Sequence, residues 1–122
     1  MDAASRDAHL TLRRVERQQR LIEQLYASPH LLTFGRLAAD HAVTERTVAR
    51  DIERLRHSGV PITVVTGRGG GATIERSLPI GPIEFDLPEI AALMASLAAL
   101  GPTASDSAAS AMRKLTTALH AD

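Results

Sequence analysis

Leu37-Ala38-Ala39-Asp40-His41-Ala42-Val43-Thr44-Glu45-Arg46-Thr47-Val48-Ala49-Arg50-Asp51-Ile52, residues 37–52, reads as two helices joined by a tight turn. Thr33 is placed to cap a short helix holding Phe34, Leu37 and Ala38. Asp40-His41-Ala42 makes the turn and Val43 is a buried residue just after it. Thr44 is an N-cap for a longer helix, Glu45 to His57, which Ser58-Gly59 closes. Glu45 in its first turn suits the positive end of the helix dipole. Ala38 supplies a small side chain where the two helices pack closely. A separation of about four residues is the helix-turn-helix spacing, which sets the second helix to enter a major groove.

Within the longer helix, Val48, Ile52 and Leu55 recur at i, i+4 and i+7 and form one apolar stripe. Stepping roughly 100° per residue puts Arg46 and Arg50 opposite that stripe, flanked by Thr47, Ala49, Glu53 and Arg54. The outward face is therefore rich in arginine, the side chain suited to bidentate contacts with phosphate and guanine. Thr44, Arg46, Thr47, Ala49, Arg50 and Arg54 are the candidate DNA-contacting residues of this helix. Arg54 is equally placed to pair within the helix, with Asp51 or on the Glu53 side, and to touch phosphate. Asp51 is expected to orient an arginine by a charge-assisted hydrogen bond.

Downstream, Val60 to Thr66 is short and β-branched, Gly67-Arg68-Gly69-Gly70-Gly71 is a turn, and Ala72 to Glu75 resumes a strand. Strand, glycine-rich turn and strand predict a hairpin, with Arg68 at its tip for a phosphate or minor-groove contact. The glycine run is not a nucleotide-phosphate loop, because no Lys-Ser or Lys-Thr follows it and a strand succeeds it. Upstream, Val15, Gln18, Leu21, Ile22, Leu25 and Tyr26 predict a helix from Arg13 that Ser28-Pro29 ends. Three helices followed by a hairpin is the winged-helix order.

Beyond the hairpin, Leu78 to Phe85 holds two prolines and a glycine and reads as a connector. Asp86 and Glu89 form a capping box for a helix carrying Ile90, Leu93, Met94, Leu97 and Leu100, which Gly101-Pro102 stops. A last helix, about Ser105 to His120, aligns Ala108, Met112, Leu115 and Leu119. Leu93, Leu97, Met112 and Leu119 are the candidate dimerisation residues of this pair.

Composition narrows the function. Of 122 residues none is Cys, so disulfides, thiolate zinc sites and cysteine catalysis are excluded. Tyr26, Phe34 and Phe85 are the only aromatics, too few for base-stacking platforms of single-strand or RNA binders. The five histidines are scattered, none at i, i+4 from another, and no metal site or cofactor is expected. No nucleophile or metal cluster accompanies Asp51 and Glu53, so an enzyme is not expected. No apolar run approaches a membrane span and no signal peptide opens the chain, which points to the cytoplasm, at the bacterial nucleoid. The formal net charge is zero but unevenly spread: residues 1–76 balance at +3 and residues 77–122 at −3. Thirteen of the 14 basic residues are arginines.

Residues 37–52, together with Leu55-Arg56-His57-Ser58-Gly59-Val60-Pro61-Ile62 and the wing Thr66-Gly67-Arg68-Gly69-Gly70-Gly71, resemble the DNA-binding domain of DeoR-type and WYL-domain transcription regulators. The resemblance rests on an Arg-Thr-Val-x-Arg-Asp-Ile helix followed by a glycine-rich wing, and covers about residues 13–76, more loosely to 120. Many relatives carry a second basic residue where this chain has Ala49, so Arg46 and Thr47 carry more of the readout. WYL regulators continue into an effector-sensing domain, and none is expected within these 122 residues, as in a short regulator or a fragment of a longer one.

The expected fold is α+β, a winged helix-turn-helix of three helices plus a β-hairpin wing, followed by a C-terminal helical hairpin. Its expected parts are a flexible leader (1–12), the winged domain (13–76), a connector (77–86) and a helical pair for dimerisation or linkage (87–122). The resemblance implies a sequence-specific, double-stranded DNA-binding regulator, a repressor acting as a homodimer on an inverted repeat. A winged-helix protein-interaction module and the DNA-binding fragment of a longer regulator are the alternatives.

Overall fold

The computed structural model describes residues 3–101 and 104–120. Its elements run α1 (Ala3–Ala27), β1 (Leu32–Thr33), α2 (Phe34–Asp40), α3 (Glu45–His57), β2 (Ile62–Val65), β3 (Gly71–Ile74), α4 (Leu87–Leu100) and α5 (Asp106–Leu119). This is the α+β winged helix-turn-helix followed by C-terminal helices. The chain divides into two compact units, Arg20–Leu78 and a second that groups Met1–Gln19 with Pro79–Asp122.

The first helix begins ten residues earlier than its apolar spacing predicts. Residues 3–12 contain neither Pro nor Gly, so nothing in them stops a helix already nucleated downstream. The part of the expected leader that the structure describes is helical; residues 1 and 2 lie outside the described residues.

In the unit Arg20–Leu78, Leu21 and Leu25 of α1, Leu37 and Ala38 of α2, and Val48, Ile52 and Leu55 of α3 close one core with Ile62 and Ala72 of the strands. The α1 and α3 members are among the apolar positions that the helical spacing singles out, although Tyr26, on the same expected stripe of α1, is exposed; burying each large core residue stabilises by about 1.5–3 kcal/mol. Val43, expected to be buried, is half-buried at the edge of this core.

The sheet has three antiparallel strands in the order β1-β3-β2 rather than the two of a bare hairpin. Strand β1 is two residues long, too short to leave a period in the sequence, and exists through its pairing of Leu32 with Ala72 and Thr33 with Gly71. Gly71 is required there: a Cβ at that position would run into the Leu32 carbonyl. Ile62 pairs with Ile74 and Val65 with Gly71, which leaves residues 66–70 as the wing turn.

The two helices of the central motif end alike. After α3, the Val60 N–H donates to the Leu55 carbonyl at 3.1 Å and Gly59 N–H to Arg56 at 3.0 Å, with Gly59 at φ 99°. After α2, Val43 N–H donates to Ala38 at 3.0 Å and Ala42 N–H to Ala39 at 3.3 Å. Both are Schellman closures. The second, however, puts a non-glycine residue, Ala42, at φ 53°. A left-handed Cβ costs about 1 kcal/mol, and part of that returns through the looser unfolded chain of glycine. Ala42→Gly is expected to raise unfolding free energy by about 0.5–1 kcal/mol. Urea melts of the two proteins measure it, and a lower midpoint in the variant would contradict the strain.

In the other unit, the expected capping box is present: Glu89 N–H donates to Asp86 Oδ1 and Asp86 N–H donates to Glu89 Oε1, both at 2.9 Å. Ser105 caps α5, accepting from Ala108 N–H at 3.0 Å, and its hydroxyl donates to Gln19 Oε1 of α1 at 2.8 Å. Ala104, Ser105 and Ala108 are buried there. Pro102, expected to help stop α4, lies outside the described residues.

Candidate nucleic-acid interface

Helix α3 is held by its own ends and by its buried face. Thr44 Oγ1 accepts from the Thr47 N–H at 3.1 Å and donates to Thr47 Oγ1 at 3.0 Å. Since Thr47 accepts with its hydroxyl, its proton is left for an outside acceptor. Val48, Asp51, Ile52 and Leu55 are buried, and Arg46, Arg50, Glu53, Arg54 and Arg56 are exposed on the remainder of the circumference. Thr47 and Ala49 are half-buried at its margins.

The exposed cations of α3 differ in what they already hold. Arg56 Nη1 donates to Glu53 Oε1 at 2.7 Å. Arg54 Nη1 lies 3.8 Å from Oδ1 of the fully buried Asp51. That distance is too long for a hydrogen bond, so the contact between Asp51 and Arg54 is an ion pair. Of the two partners open to Arg54, the structure selects Asp51; Glu53 goes to Arg56. Arg46 and Arg50 form no ion pair among the described residues. An arginine without an intramolecular partner keeps all five N–H donors for an external anion or base edge.

Across the motif, a polar cluster ties α1 to α2. Gln24 Nε2 donates to Asp40 Oδ2 at 2.7 Å, and Arg36 Nε donates to the same oxygen at 3.1 Å. Because the Gln24 amide nitrogen is the donor, its oxygen is the acceptor 2.7 Å from His41 Nε2, which must therefore carry a proton. The Gln24 amide, and after it the Arg36 guanidinium, hold the Asp40 carboxyl below its ordinary 3.8. A depressed carboxyl stabilises the fold above its unfolded value and loses that contribution as pH falls through the folded one. The stability gap between wild type and Asp40→Asn is therefore expected to be constant near neutrality and to shrink as pH drops below about 4. Chemical denaturation at a series of pH values measures it; a gap that widens on acidification would reverse the assignment. Nothing in the sequence foretold this cluster, since its members lie 16 and 17 residues apart.

In the wing, Arg68 is exposed in the turn between β2 and β3. The hairpin's far end is fastened by Arg76, whose Nε donates to the Tyr26 carbonyl at 2.7 Å and whose guanidinium lies 5.7 Å from the centroid of the Tyr26 ring.

Residues 17–71 match a family model described as an HTH domain. The winged helix-turn-helix fold of this segment agrees with that match. No solved structure matches the chain. The match takes in α2, the turn, α3, β2 and the wing turn, and leaves α4 and α5 outside.

The candidate dimerisation residues fall into two groups. Leu97 and Met112 are half-buried and line one apolar groove between α4 and α5, with Ala98, Gly101, Ala108, Ala109 and Arg113. Leu93 and Leu119 lie outside that groove and are 41% and 38% exposed. Helix α4 has no buried residue at all, although eleven of its 14 residues are Leu, Ile, Met or Ala.

Proposed function

We propose that this chain is a sequence-specific, double-stranded DNA-binding transcription regulator of the DeoR or WYL type, a repressor that occupies an inverted repeat as a homodimer. The reading includes a place in the bacterial cytoplasm, on the nucleoid. The observation that carries it is the outward face of α3, where Arg46 and Arg50 stand exposed without an ion pair among the described residues.

In this reading the N-terminal half of α3 enters the major groove. Arg46 and Thr47 reach base edges, and Thr44, Ala49 and Arg50 border the contact. Arg54, tied to Asp51, serves the backbone, and Arg68 of the wing holds a phosphate or the minor groove.

Selection of bound duplexes from a random library by the purified protein, followed by titration over a range of salt, tests the proposal. Enrichment of one motif and a steep fall of affinity with salt are expected. A salt-insensitive chain that enriches nothing would overturn it in favour of a protein-interaction module. In the same assay, Arg68→Ala is expected to weaken specific and random DNA alike and to flatten the salt slope by about one unit. An unchanged slope and affinity would remove the wing from the interface.

A further inference from the structure

One small residue sits among long ones on the outward face of α3. Ala49 lines a shallow, open depression with Arg46, Arg50, Glu53 and Arg54. The surface of that depression is mainly apolar, which leaves the Ala49 methyl and the aliphatic stems around it as its lining. Glu53 is engaged by Arg56 at 2.7 Å and Arg54 by Asp51 at 3.8 Å. The two cations left at the rim, Arg46 and Arg50, pair with no acid among the described residues.

We propose that this depression receives the 5-methyl group of a thymine, with one of the two free arginines on a neighbouring guanine. The inference rests on the DNA-binding reading and specifies which base step α3 prefers. Of the groups exposed in the major groove, the thymine methyl is the apolar one, and small apolar side chains are what meet it. Guanine beside it offers the O6 and N7 acceptors that an arginine takes in a bidentate pair. A phosphate fits the depression less well, because an anion needs donors along its whole contact and an alanine methyl supplies none. A larger residue at position 49 would fill the space, so alanine here sets specificity by leaving room.

The test starts from the duplex that the protein selects. Each thymine is replaced in turn by deoxyuridine, which removes the methyl and leaves the pairing edge and the protein untouched. One position is expected to weaken binding about fourfold, what burial of one methyl group is worth. Ala49→Gly is expected to lose a similar factor on the thymine duplex and to bind the thymine and uracil duplexes equally. Insensitivity of the wild-type protein to uracil at every position would overturn the inference, as would an Ala49→Gly protein that still distinguishes the two. Arg46→Ala measured on the same duplexes separates the levels. If it loses affinity while uracil has no effect, DNA binding stands and the thymine contact falls; if no duplex is selected at all, both fall.

Discussion

Arg46→Ala is expected to weaken binding to the selected duplex by about 1–3 kcal/mol, roughly 5- to 150-fold, and to relax the preference at one base position. The residue stands in the first turn of α3, the part of such a helix that reaches base edges. It is exposed and forms no ion pair among the described residues, so its donors are not diverted before binding. Removing it leaves the fold alone: the core contacts of α3 come from Val48, Ile52 and Leu55, and the Thr44 cap bonds the Thr47 N–H, not the Arg46 side chain. The loss on random duplex should be smaller, since a base contact adds only to specific binding whereas a phosphate contact adds to both. Titration of wild type and variant against a panel of single-base changes reads this directly. A variant that loses affinity equally on every sequence would make Arg46 a phosphate contact, and one that loses nothing would take it out of the interface.

What the sequence could show of this face, and what it could not, divides along physical lines. The stripe Val48, Ile52, Leu55 and its opposite face are set by a period of 3.6, which one helix carries within itself; the structure buries those three residues. Caps are equally local, and Thr33, Thr44 and Asp86 all cap as their spacing indicates. Strand β1 was not legible, because two residues have no period and owe their conformation to Gly71, some 40 positions away. The Gln24, Asp40 and His41 cluster was hidden for the same reason: it forms only when α1 and α2 meet. The pairing state of the arginines was half legible. Their positions on the wheel followed from the sequence, but that Arg54 takes Asp51 while Glu53 takes Arg56 depends on which acid is buried. The first helix misled in the opposite direction, since residues 3–12 lack an apolar stripe and are helical nonetheless.

Replacing Leu93 and Leu119 together by glutamate is expected to convert a dimer into a monomer and to lower affinity for the inverted repeat by at least 100-fold. The magnitude follows from linkage: two readers on one scaffold gain about 10²–10⁴ over a single one, and one winged helix alone reads too few base pairs to prevail over competing genomic sites. Half-sites about 10 base pairs apart, or a multiple of that, are the spacing such a dimer would bind. The case for α4 and α5 as the means is one of unspent apolar surface. In their unit, Ile80 is 81% exposed, Ile83 68%, Leu87 65%, Phe85 42% and Leu93 41%, and α4 buries none of its apolar residues fully. Single exposed leucines need no explanation, but several large ones on one connector and helix expose on the order of several hundred Å², a substantial part of the ~800 Å² that each partner gives to a standard interface. Leu93 and Leu119 are the positions to charge because both are already substantially exposed, so that glutamate there strains no packed core, whereas Leu97 and Met112 also line the groove between the two helices. Light scattering of wild type and variant at micromolar concentration, with and without the selected duplex, is the measurement. A wild-type chain that is monomeric in both conditions would return the two helices to packing within one chain, and a double variant that remains dimeric would move the interface elsewhere on the protein.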